Sequence, residues 1–123
     1  MSKWEDFNFE EKVITIFSNV PYNQSHHFRR PYLTPYQIAI GFAKKYPDDF
    51  KSIGLVIGGK GEDVPVSLTS YIAKQLSTSI KNGSMTLIEG AFLSNQYISD
   101  IEFIDDIHSS NCGLDTLSMF RLK

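Results

Sequence analysis

Gly58-Gly59-Lys60-Gly61 follows the apolar run Leu55-Val56-Ile57. A loop of this composition can cradle a phosphate, because glycines leave backbone N–H groups uncovered and the lysine sets a positive charge beside them. The same residues suit a plain surface turn equally well. A P-loop needs Gly-Lys followed by Ser or Thr to reach a metal ion, but Gly61 and Glu62 follow Lys60, so that type of NTPase is excluded. The glycine spacing of a dinucleotide fingerprint is missing too. Arg29, Arg30 and Arg121 offer planar forks that match phosphate oxygens. Phe92 offers a face on which a base can stack, and Asn95 can donate to and accept from a base or ribose edge. Together these are the parts of a nucleotide pocket. They bring no obvious nucleophile, metal site or general base, so binding without turnover is the economical reading.

Three other constellations could carry chemistry. His26, His27, His108 and Cys112 are possible zinc ligands, but structural sites show tightly spaced pairs on both sides and adjacent histidines rarely face one metal. We read them as exposed loop histidines and a small thiol. A Cys112–His108 nucleophile pair would need a positive neighbour to stabilise the thiolate, and the surrounding sequence supplies none. Asp100, Glu102, Asp105 and Asp106 could bind a hard cation or act as an acid–base pair. Strand alternation accounts for the first two, and a solvated edge that discourages sheet aggregation accounts for the set.

The chain has 123 residues, enough for one domain that buries roughly two thirds of its unfolded surface. Cys112 is the single cysteine, so no internal disulfide can form and a reducing compartment, the cytoplasm, is expected. The mostly apolar stretch from Tyr36 to Ala43 is far short of a membrane span, and the acidic N-terminal segment has no signal-peptide pattern. A formal net charge of −2 gives no general attraction to DNA or RNA. A small anion in a local basic pocket remains compatible with it. The 9 Phe, 6 Tyr and 1 Trp exceed what an ordinary core of this size needs, leaving some for stacking or for a subunit interface.

Several elements must position these groups. Val13 to Phe17 is β-branched and short, which predicts a buried strand. Ser18 to Tyr32 then reads as a long loop carrying His26-His27-Phe28-Arg29-Arg30, and loops of that length are often functional. Thr34, Pro35 and Gln37 form a capping box that starts a helix running to Tyr46, where Pro47 stops it. Gly41 inside that helix implies a closely packed neighbour, and Asp48 to Ile53 allows a further short turn ended by Gly54. Leu68, Ile72, Leu76 and Ile80 predict a second long helix over Ser67 to Lys81, with Asn82-Gly83 as its stop. Its other face carries Ser67, Ser70, Ser77, Thr78 and Ser79, small residues that would admit a second copy or a ligand. Strands are expected over Met85 to Leu93, Tyr97 to Ile104 and Thr116 to Leu122. The expected class is α+β, a single domain with two main helices and a largely antiparallel sheet.

The chain resembles the phage-encoded Thoeris anti-defence sponges, small proteins that sequester the cyclic ADP-ribose signals made by bacterial TIR enzymes. The resemblance is carried by Leu33-Thr34-Pro35-Tyr36-Gln37-Ile38-Ala39-Ile40, Ile57-Gly58-Gly59-Lys60-Gly61, Ser67-Leu68 with Tyr71-Ile72-Ala73 and Gln75-Leu76, Ile88-Glu89-Gly90-Ala91-Phe92-Leu93-Ser94-Asn95-Gln96, and Leu117-Ser118-Met119-Phe120-Arg121-Leu122. It implies a homodimer or hexamer that holds glycocyclic ADP-ribose at a subunit junction and leaves it intact, and some members also hold cyclic oligonucleotides. No cofactor, membrane, DNA or RNA is expected. The resemblance carries ligand contact onto the Gly58–Gly61 loop, Phe92, Asn95 and Arg121, and with the residue chemistry above the candidate ligand contacts are Arg29, Arg30, Gly58, Gly59, Lys60, Ser67, Phe92, Asn95 and Arg121. The chain departs from the family pattern at Glu62-Asp63-Val64-Pro65 and around Asn111 to Asp115, which leaves the ligand isomer open. A nucleotide-processing enzyme and a module that inhibits a host defence protein directly are the alternatives.

Overall fold

A computed structural model describes residues 3–58, 67–109 and 117–123. The architecture is α+β. A short helix, α1 (Lys3–Asp6), leads into α2 (Phe9–Ser18), and α3 (Pro35–Lys45) is followed at once by α4 (Pro47–Ile53) and later by α5 (Leu68–Lys81). Two strands, β1 (Ile88–Leu93) and β4 (Leu117–Leu122), pair antiparallel as a ribbon. Between them lie β2 (Glu102–Phe103), a 3-10 turn over Ile104–Asp106, and β3 (Ile107–His108), which together make a small antiparallel hairpin. Among the described residues no helix is long and apolar enough to cross a membrane.

The strand expected over Val13 to Phe17 is helical, and the reason is visible once Phe9 is included. Phe9, Val13, Ile16 and Phe17 are all buried, and their spacing of four, three and one places them on one face of α2. A window opened at Val13 sees only the β-branched half of that face. The strand expected over Tyr97 to Ile104 shrinks to Glu102–Phe103, because Tyr97 takes a left-handed conformation (φ 65°) that breaks extended pairing.

Both long helices start as their local chemistry dictates. The Thr34 hydroxyl accepts from the Gln37 N–H (3.3 Å) while the Gln37 side-chain oxygen accepts from the Thr34 N–H (2.8 Å). Ser67 and Ser70 make the equivalent exchange at the start of α5, each hydroxyl accepting the other's N–H at 3.1 Å. Pro47 disfavours helical geometry at Tyr46, which sits at φ −126°, ψ 63°, and so separates α3 from α4. At Gly54, where α4 ends, φ is +74°, the conformation a helix-terminal glycine adopts without strain.

The core lies where α2, α3 and α5 meet the ribbon. Phe9 is fully buried, stacked on Phe42 at 4.6 Å and on Trp4 at 5.2 Å, and met edge-on by Tyr71. Ile38, Leu68, Ile72, Leu76, Ile88 and Phe120 complete it. A Cβ at Gly41 would lie 3.3 Å from the Ile16 side chain, so the close approach expected of this glycine is between α3 and α2. Much of the aromatic surplus is thereby absorbed in packing rather than left for a ligand.

Candidate functional site

The loop over 19–32 is shaped first by its own polar groups. The Asn23 side-chain oxygen accepts from the Ser25 N–H (3.1 Å) and hydroxyl (2.7 Å), an Asx turn, and the Arg29 N–H reaches the His26 carbonyl at 3.3 Å. Arg29 itself is left-handed, at φ 69°. The loop then meets β4 through a pair of 2.8 Å backbone bonds between Leu33 and Phe120.

One residue beyond Phe120, Arg121 fastens the loop to the ribbon. Its Nε donates to Glu89 Oε2 at 2.7 Å, and Glu89 is its cross-strand partner in the β1–β4 register. Nη1 donates to the carbonyls of Phe28 and Arg30, each at 2.9 Å, and the guanidinium lies 4.3 Å from the centre of the Tyr32 ring. The side chain is mostly buried, so these charge-assisted bonds act with limited screening. Arg121 hydrogen-bonding, ahead of the added attraction of Arg29, holds the Glu89 carboxyl below its usual range. Arg29 reaches the same carboxylate oxygen at 3.5 Å, and Arg30 stacks 4.5 Å from the Tyr22 ring centre.

These groups surround an open cleft of about 590 Å³, lined by Tyr22, Asn23, His26, Phe28, Arg29, Arg30, Pro31, Tyr32 and Arg121. Its volume is within the range of small-ligand sites. Glu89 offsets one guanidinium, which leaves the lining cationic. Phe28 is 71% exposed, so its ring presents a face that burial has not consumed. Guanidiniums beside an exposed ring can hold phosphate and stack a base.

The structure brings Arg29, Arg30 and Arg121 together, and the other described candidates, Gly58, Ser67, Phe92 and Asn95, do not line the same cleft. Gly58 is half-buried in the segment that follows α4, while Gly59 and Lys60 lie outside the described residues. Ser67 is buried as the cap of α5, with its hydroxyl engaged by Ser70, so its position serves the helix and not an open surface. Asn95 is exposed after β1, and its carbonyl accepts from the Ile98 N–H. Phe92 pairs with Ser118, three positions along the ribbon from the Glu89–Arg121 pair. Because strand side chains alternate, Phe92 and Arg121 project from opposite faces of the ribbon. Phe92 lines a different hollow of about 360 Å³, with Gly90, Phe120, Ile80 and Ser77 of α5 among its neighbours.

His26 and His27 stack on each other at 4.5 Å within the loop, whereas His108 sits on β3, and Cys112 lies outside the described residues. Tyr22, Tyr32 and Glu89 are the contributors that sequence reasoning missed. Tyr32 is the only one with a local signal, standing two places after Arg30 at the end of the loop.

Glu89 sets the acid response of this junction. Its folded pKa is lowered, so its contribution to stability is complete above the ordinary glutamate value of about 4.5 and is lost as pH falls through the lower folded value. Thermal melts of the parent should therefore lose stability over that acid window, and Glu89→Gln should flatten that part of the profile. An unchanged profile would remove the ion pair from the loop's support.

Against protein-family models, curated proteins and solved structures, the chain shows no match.

Proposed function

We propose that the chain binds and sequesters a cyclic ADP-ribose-type signalling nucleotide without degrading it, and so blocks TIR-dependent immunity of the Thoeris kind. The supporting observation is the cleft in which Arg29, Arg30 and Arg121 converge beside the exposed Phe28 ring. A diphosphate joined to an adenine asks for that combination. Glycocyclic ADP-ribose is the specific ligand put forward, with a cyclic oligonucleotide as a further possibility at a second site. The work is in the cytosol of the infected cell.

The enzyme alternative has one residue in its favour, His26, which lines the cleft. Its Nδ1 accepts from the Phe28 N–H at 3.1 Å, however, which in the neutral ring places the proton on Nε2 and makes that atom a donor rather than a base. Protein incubated with glycocyclic ADP-ribose, freed of excess ligand and then denatured should return the ligand unchanged by mass spectrometry. Recovered ADP-ribose would establish the enzyme. No depletion of ligand would favour the direct inhibitor of a defence protein.

A homodimer or hexamer belongs to the same proposal. Phe92 and Arg121 face opposite sides of one ribbon, so a nucleotide that touches both does so across two copies. Light scattering at micromolar concentration should show a dimer or larger, and a monomer that still binds would remove the shared site.

Phe92 is 72% exposed, which reverses the ordinary expectation that a phenylalanine in an apolar strand is core. Phe92→Ala should therefore change stability by no more than about 0.5 kcal/mol. A stacking role predicts a loss of about 1–3 kcal/mol in affinity for the nucleotide. Melting and ligand titration on one sample check both, and full-strength binding would take Phe92 out of the site.

A further inference from the structure

We propose that the β2–β3 hairpin is a binding site for one divalent first-row transition ion, with Zn²⁺ as its reference occupant, held by Glu102, Asp106 and His108. This site is separate from the nucleotide cleft and does not depend on the proposed function.

The register creates it. Glu102 and His108 are direct cross-strand partners in the antiparallel hairpin, and Asp106 stands two residues before His108. Partners across a ladder share a face, which sets Glu102 beside His108, and Asp106, left-handed (φ 61°) at the end of the turn that closes the hairpin, comes within reach of both. Their ligand atoms all lie within 4.8 Å of one another. A tetrahedral ion bound at about 2.0–2.1 Å separates its ligand atoms by about 3.3 Å. His108 Nε2 and Asp106 Oδ1 are already 3.2 Å apart. Glu102 is exposed, so its side chain can rotate to complete the set.

The imidazole is held as a metal-ligating histidine requires. Its Nδ1 is 2.6 Å from Asp100 Oδ2, and the other Asp100 oxygen accepts from the Ser109 hydroxyl at 3.0 Å. A carboxylate behind Nδ1 fixes the tautomer that turns the Nε2 lone pair towards a cation. The hairpin is also tied to the helical core. The Tyr36 hydroxyl donates to the Ser109 carbonyl at 2.6 Å, and the Tyr36 ring stacks on Phe103 at 5.1 Å. Lys44 pairs with Asp105 at 3.0 Å, which takes that carboxylate away from the set. One imidazole with two carboxylates suits Zn²⁺ or Mn²⁺ better than Ca²⁺ or Mg²⁺, which favour all-oxygen shells.

The test is titration of the chelator-treated full chain with Zn²⁺ by calorimetry, with Mg²⁺ and Ca²⁺ in parallel. We expect one equivalent of Zn²⁺ to bind, Mg²⁺ and Ca²⁺ to bind at least tenfold more weakly, and the melting midpoint to rise with Zn²⁺ concentration. His108→Ala should abolish that equivalent, and Glu102→Gln, an exposed change that leaves the hairpin bonds intact, should weaken it at least tenfold. Asp100→Asn should weaken it by about ten- to a hundredfold through the orientation of His108. Histidine-side-chain NMR should show Zn²⁺ moving the Nε2 resonance of His108 and sparing His26 and His27. No Zn²⁺ uptake would mean that a proton alone bridges His108 and Asp106, and would overturn the proposal. Uptake unaffected by both Glu102→Gln and His108→Ala would place the ion elsewhere and overturn it equally.

Discussion

Replacing Phe9 with alanine should destabilise the protein by about 3–5 kcal/mol, the range for deleting a fully buried phenylalanine. The ring is sandwiched between Trp4 and Phe42 and touched edge-on by Tyr71, so it joins α1, α2, α3 and α5 at a single point. No one neighbour can collapse into the space, because each is anchored on a different helix. A domain of this size has about 5–15 kcal/mol in total, so the melting midpoint should fall by roughly 10–25 °C. Urea denaturation gives the free energy directly. A cost below about 1 kcal/mol would show that the aromatic cluster is not where the helices are held together.

Arg121→Ala should weaken binding of glycocyclic ADP-ribose by about 2–3 kcal/mol, roughly thirty- to two-hundredfold, while the helical core stays folded. Two losses combine. One cation leaves the cleft, and the carbonyls of Phe28 and Arg30 lose the donor that ties the loop to β4. Hydrogen exchange should accelerate in the 26–31 segment and stay slow in α3 and α5. Arg121→Lys should recover little, since an ammonium cannot reach Glu89 and both carbonyls from one planar group. Binding that is unchanged in Arg121→Ala, with a loop that exchanges no faster, would dissociate the residue from the site.

The parts of the fold that were legible in the sequence are those decided by neighbours in the chain. The Thr34–Gln37 capping box, the Pro47 break and the Gly54 stop each depend on residues within four positions, and each is found where those residues placed it. Val13 to Phe17 carries strand composition, and only the longer period that includes Phe9 identifies α2 as a helix. In the candidate site the arginines were legible as charges. Their partners were not, since the Glu89–Arg121 pair is a fact of strand register between residues 32 apart. The same register decides that Phe92 turns away from Arg121, and no local pattern encodes it. Ser67 was a natural candidate beside a glycine-rich loop, but its hydroxyl was already committed to the start of α5.

The bond from Arg121 to the Arg30 carbonyl spans 91 residues of chain. Closing so long a loop is entropically slow, so this contact should form after the local helices and after most of the folding barrier has been crossed. A mutation there would then speed unfolding while leaving the folding rate almost unchanged, a φ-value near zero at Arg121. Stopped-flow chevrons of the parent and Arg121→Ala would show it. A nascent or partly refolded chain would accordingly have its helices in place and still be unable to capture an anion, because the cleft is completed last.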